Sequence, residues 1–188
     1  MWSGTYSPPW CSGFTLDGNL ASAVAGLAVT GTPELMTPVF DLLDGKMADF
    51  RENARRLYGC RGILVPAHMS THGLHNHFGP VWCLTFWTAG AGWLARLYYD
   101  HYAHTGDLAF LRDRAWPFMT ETALFYEDFL TRSGDFVPSY SPENTPAGAI
   151  PRRASTRPWT SRSPGTCWAT SCTRARSSGW RMPGGGGC

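Results

Sequence analysis

Apolar residues in the first 134 positions recur mostly at steps of three and four, and no sustained run alternates with period two. Leu35, Val39, Leu42, Leu43, Met47, Phe50, Ala54 and Leu57 fall on one stripe, which predicts an amphipathic helix. Thr32-Pro33-Glu34 marks its start: a hydroxyl for the N-cap, a proline where no N–H is needed, and an acid in the first turn. Gly59 closes it. A shorter helix is predicted over about 16–29, with Ala21, Ala23, Ala25 and Ala28 on several faces. Positions 84–104 return to helix, nearly apolar all round at first (Phe86, Trp87, Trp93, Leu94, Leu97, Tyr98), as in a helix buried on most sides. Gly106 ends it and Asp107 caps the next, which breaks or kinks at Pro117, resumes through Met119, Leu124, Tyr126 and Phe129, and stops by Gly134. The predicted fold class is all-α: helix pairs joined by long aromatic and polar loops.

Composition divides the chain in two. Its net charge of +2 hides a basic tail: residues 149–188 hold seven Arg and no Asp, Glu or Lys. The body, 1–148, holds 9 basic and 14 acidic residues, a net of −5. That balance does not suit nucleic acid, although a basic tail alone could serve as a nucleic-acid arm. No run of about 18 apolar residues exists to span a membrane. The first residues, MWSGTYSPPW, lack the basic and apolar regions of a signal peptide, so the chain as it stands reads as cytoplasmic. The body cysteines Cys11, Cys60 and Cys83 are odd in number and widely spaced, which implies no disulfide framework. Nothing in the composition points to a cofactor or fixes an oligomeric state.

Chemistry should sit in the loops. In Ser141-Pro142-Glu143-Asn144 the proline stiffens the chain before Glu143, and Phe136 and Tyr140 are its nearest aromatics. A carboxyl beside aromatic surface can be raised enough to act as a general acid, whereas an ordinary surface glutamate in a turn is the plainer alternative. His68, His72, His75 and His77 lie within ten residues, with Asn76 among them. That number could ligate zinc, but the loop 61–80 has no Cys or carboxylate, so no metal site is assigned. Imidazoles and amides in a loop equally suit a hydroxyl-rich ligand, or a structural role. Asp17-Gly18-Asn19 lies where a loop enters a helix, and Asp17 could simply be an N-cap. Trp2, Trp10 and Trp82 could stack on sugar rings; Trp87 and Trp93 read as core.

In order, the segments MWSGTYSPPWCSGFTLDGNL, TPELMTPVFDLL, RRLYGCRGILV, HYAHTGDLAFLRDRAWPFMTETALFYEDFL and SPENTPAG resemble the catalytic domain of family 95 glycoside hydrolases, the α-L-fucosidase and α-L-galactosidase family. That pattern reads roughly LQGIW…PPWGS.YTLNINL, then NL.EL..PLFDFI, YGARGW, HY.FTGD..FL and SPEN. Order and spacing agree from Met1 to about Gly148. The resemblance implies part of an (α/α)6 toroid with its active site where inter-helix loops meet, and hydrolysis with inversion. It gives Glu143 the role of acid, and puts Asp17 and Asn19 on two asparagines that position the attacking water and its base. His68, His72, His75, Asn76, His77 and Asn144 then fall in the sugar-binding region, and the partner is an oligosaccharide or glycoconjugate, with no nucleic acid or membrane. Asp17 puts a carboxylate where the family has an amide, and the family's His-His-Asn loop is rewritten, so the sugar is left open between fucose and another deoxy- or L-sugar.

After Gly148 the resemblance changes character. The family continues with Ala-Thr-Met-Asp and a further helix, and supplies its base aspartate later. Here residues 149–188 mix Arg, Ser, Thr, Pro, Gly, Cys and Trp, which predicts a disordered tail. Thr156–Arg162, TRPWTSR, can be written ACG CGA CCA TGG ACG TCG CGG. Moved one base, the same letters read Ala-Thr-Met-Asp-Val-Ala, so out-of-frame translation is the expected source of the tail. Two function classes follow: a glycosidase fragment with its acid but not its base, inactive alone, or a non-catalytic carbohydrate-binding remnant. A toroid so shortened would leave apolar faces such as Trp87, Trp93 and Tyr98 uncovered.

Overall fold

The computed structural model describes residues 5–75 and 86–134, and over these the chain is helical with one minimal sheet. Strand β1, Phe14–Thr15, pairs antiparallel with β2, His68–Met69, with Phe14 opposite Met69 and Thr15 opposite His68. Helices are α1 (Asn19–Val24), α2 (Thr37–Asp44), α3 (Met47–Tyr58), α4 (Gly90–Thr105), α5 (Leu108–Phe110) and α6 (Trp116–Ser133). The tail 149–188 and its expected disorder lie outside the described residues.

The helix stops fall where local chemistry puts them. Gly59, Gly106 and Gly134 take the left-handed conformation at φ 61, 68 and 69°. Behind Gly59, the N–H of Cys60 bonds to Ala54 O at 3.2 Å, closing the last turn of α3. Asp107 caps α5 by accepting from the N–H groups of Ala109 and Phe110 at 2.9 and 3.0 Å.

The starts depart from the sequence reading. The expected helix over 16–29 is confined to Asn19–Val24 and continues as turns. Thr32 does not cap: its hydroxyl donates back to Leu27 O at 3.2 Å, and Pro33–Met36 is a 3-10 turn. Pro38 has no N–H to give to the carbonyl four residues back, so the α-helix begins only at Thr37. The single stripe over Leu35–Leu57 is two helices, α2 and α3, separated by Gly45 and Lys46. The stripe survives the break because Leu43, Phe50 and Ala54 all reach the core. The predicted start near Leu84 lies outside the described residues; Trp87–Ala89 is not helical and the helix proper begins at Gly90. Pro117 does not break the chain. It occupies the first turn of α6, after a π-helical segment, Leu111–Ala115, whose wider turn accommodates it.

The main core joins α2, α3, α4 and α6 around Phe40, Phe50, Leu94, Tyr98 and Phe118, all nearly solvent-free. Tyr98 stacks on Phe118, with ring centroids 4.5 Å apart, and its hydroxyl donates to Asp44 at 2.6 Å. Arg114 binds Asp44 and Asp41, each at 2.7 Å, tying the π-helical segment to α2. Burying each such ring contributes about 1.5–3 kcal/mol. The segment from Gly62 to Met69, expected within a surface loop, is buried throughout and runs between α3 and α6. Trp87 and Tyr98 are covered, and Trp93 is half-buried, so these three are not the exposed face expected of a shortened toroid.

Candidate functional site

Pro9–Ser12 forms a tight turn in which Trp10, Cys11 and Ser12 all have positive φ, at 47, 54 and 53°. Three successive side-chain-bearing residues in that region are costly, and surrounding structure must hold them. Two contacts do so. The N–H of Gly13 donates to Trp10 O at 3.0 Å, and His68 Nε2 lies 3.1 Å from the same oxygen. Gly13 is required here because a Cβ would fall 1.9 Å from His68 Cε1.

His68 is buried, and that burial lowers the pKa of its imidazole. A neutral ring facing a carbonyl carries its proton on Nε2 and donates. Its place opposite Thr15 in the ladder joins the turn to the histidine loop.

Beyond β1 the chain turns through Leu16, Asp17 and Gly18 into α1. Asp17 is half-buried and is not the N-cap; Gly18 holds that position, with no side-chain cap. Asn19, the first residue of α1, is exposed. β1, the turn and α1 line one open cleft of about 650 Å³, formed by Gly13, Phe14, Thr15, Leu16, Gly18, Asn19, Leu20, Ser22 and Ala23. That volume suits a small ligand such as one or two sugar rings. The structure thus sets His68 against the Trp10–Gly13 turn and opposite Thr15, on the strand that leads into Asp17 and Asn19.

Residues 71–75 of the histidine loop are held by α3 and by Lys46, its N-cap residue. Lys46 Nζ donates to Thr71 O at 2.7 Å, and Asp49 accepts from the N–H of Gly73 at 2.7 Å. Buried Asn53 donates to Leu64 O and Gly73 O at 3.2 and 2.9 Å, and accepts from the N–H of His75 at 2.8 Å. His72 is exposed and His75 half-buried. The sequence reading missed these anchors. Asn53 did carry a signal: an asparagine inside a helix, next to core residue Ala54, gives up helix propensity and calls for a partner.

Asn76, His77, Glu143 and Asn144 lie outside the described residues. Among the described residues, no three His, Cys, Asp or Glu side chains gather to hold a metal ion, and no helix is long and apolar enough to cross a membrane. Exposed charges pair locally: Glu52, held between Arg55 and Arg56, has its pKa lowered to about 2.

Comparison with known proteins adds the family. The glycosyl hydrolase family 95 catalytic domain matches residues 1–166. Alpha-L-fucosidase 2 of Arabidopsis thaliana is 28% identical over 161 residues, 82% of this chain and 19% of the plant protein. Probable alpha-fucosidase A of Aspergillus niger is 27% identical over 155 residues, 78% of this chain and 19% of the fungal protein. The chain therefore spans about a fifth of the length of these two relatives.

Proposed function

From a chain that belongs to the glycosyl hydrolase family 95 catalytic domains, we infer part of an inverting, α-L-fucosidase-like hydrolase that removes terminal sugars from an oligosaccharide or glycoconjugate. The observation that carries this reading is the cleft over Gly13–Ala23. It forms on the stretch PPWCSGFTLDGNL, which resembles the family's water-positioning motif, and Asn19 is in its wall.

In this reading the helices are part of an (α/α)6 toroid. Glu143 protonates the glycosidic oxygen as the bond to the anomeric carbon breaks. Water attacks from the opposite face, and its proton passes to a base about 6.5–9.5 Å from the acid. Asn19, with Asp17 beside it, orients that water. Histidines of the 68–77 loop, with Asn76 and Asn144, bind the sugar hydroxyls. These 188 residues contain the acid but no aspartate that the motif order assigns as base.

The test uses the gene with its downstream sequence restored to frame. Aryl α-L-fucoside should be hydrolysed with the β-anomer as first product, and Glu143→Gln should lower kcat by about 10²–10⁴-fold. First release of the α-anomer would rule out inversion. Glycan binding without turnover in the restored protein would favour the non-catalytic reading instead.

A further inference from the structure

Resting on the sugar-pocket reading of the histidine loop, we infer that Asp49 and Asn53 of α3 are positioning residues that set how His72 and His75 meet a sugar ligand. The loop has little regular structure of its own after β2, yet Lys46, the N-cap residue of α3, and Asp49 and Asn53 within that helix hold backbone groups of residues 71–75. Lys46 takes Thr71 O, Asp49 takes Gly73 N–H, and Asn53 takes Gly73 O and His75 N–H. Their spacing, 46, 49 and 53, is the three-and-four step that aligns side chains along one helix face.

The fit is close. A Cβ on Gly73 would lie 2.8 Å from Lys46 Cβ and 2.9 Å from Phe50 Cε1, so the loop backbone lies against the helix. Asn53 is 4% exposed, and its amide joins this loop to the buried segment through Leu64 O. A buried amide with three partners fixes its neighbours tightly, because each lost bond would leave a polar group without water. His72 projects next to the clamp and remains exposed, whereas His68 at the other end already holds the Trp10 carbonyl. The clamped stretch therefore contains an imidazole still open to a ligand, on a backbone held to its helix.

Imidazole proton signals of His72 and His75, assigned with His72→Gln and His75→Gln, read the effect in the full chain. L-fucose should shift them saturably. Asp49→Ala should move the ligand-free signals and weaken L-fucose binding about tenfold, the effect of one or two anchoring hydrogen bonds. Asp49→Asn, which keeps an oxygen to accept the Gly73 N–H, should restore both. Gly73→Ala should reproduce the loss with Asp49 and Asn53 intact. A lower Tm in Asp49→Ala with unchanged affinity in the folded chain would show a purely structural anchor and overturn the inference. Absence of any L-fucose shift in the unmodified chain would also overturn it. The glycosidase reading would then still be judged by Glu143→Gln in the restored gene, so the two failures are separate.

Discussion

Burial of His68 favours its neutral form and outweighs the bond to Trp10 O, which favours the charged one. The pKa of His101 is also lowered by burial, in a ring contact 4.4 Å from Phe110. Both shifts have the same sign consequence. The unfolded chain binds more protons than the folded one once pH falls below the ordinary imidazole value, about 6.5. Stability is therefore full above that value and declines as pH falls through it. Tm measured from pH 7.5 to 5 should fall, and His68→Gln, which keeps a donor but cannot titrate, should flatten the decline. An unchanged slope in that variant would exclude His68 as a contributor. The decline is separable from that of Glu52, whose lowered pKa loses its effect only as pH falls from about 4.5 toward 2. Gly13→Ala tests the same contact from the other side: its methyl would meet the imidazole, and about 1–3 kcal/mol of destabilisation in a denaturant titration is expected.

Among the elements, the segment after Gly59 matters most. Gly62 combines φ +71° with a close approach: a Cβ there would lie 2.1 Å from Glu121 O and 2.5 Å from Phe125 N. Ile63 N–H also donates to Glu121 O at 3.2 Å, so the segment sits directly on the backbone of α6. Gly62→Ala should cost at least about 3 kcal/mol by denaturant midpoint, since both the left-handed strain and the backbone clash oppose it. Asp107→Ala, by contrast, removes one cap and should cost about 1 kcal/mol. That contrast also marks what the sequence made legible. Asp107 and glycines 59, 106 and 134 act through neighbours a few residues away, and their roles were readable from spacing. The burial of the segment from Gly62 to Met69 depends on α6, about 60 residues on; its apolar run Ile63-Leu64-Val65 signals burial, but no local pattern names the partner. The break between α2 and α3 was hidden because the hydrophobic stripe continues in phase across it. At the candidate site, the motif resemblance pointed to Asn19 and Asp17, while the Asp49 and Asn53 anchors required the loop to be seen on its helix.

At the scale of the whole molecule, composition sets the acidic body 1–148 apart from the basic tail 149–188. Residues 5–75 and 86–134 bury Phe40, Phe50, Tyr98 and Phe118 around one core, and cover Trp87 as well. The apolar residues left in solvent are others, among them Val29, Leu35 and Leu108. In the proposed reading, catalysis is where the tail's sequence matters. Inversion requires an acid and a base, and each proton-transfer partner contributes about 10²–10⁴-fold. In the proposed mechanism Glu143 is the acid alone. Asp17 is the carboxylate nearest the cleft in sequence, but it is half-buried in the turn before α1. We therefore predict that the 188-residue chain releases no measurable fucose from aryl α-L-fucoside. We further propose that the tail after about Gly148 is out-of-frame translation, although the family match runs on to residue 166, on the ground that TRPWTSR can conceal Ala-Thr-Met-Asp-Val-Ala one base away. Sequencing the gene from the Ser-Pro-Glu-Asn codons onward should reveal a shifted frame with helical periodicity, and restoring that frame should recover turnover. Turnover by the unrestored chain that disappears in Glu143→Gln would show a complete site within these residues, and the base would then have to be sought among the carboxylates already present.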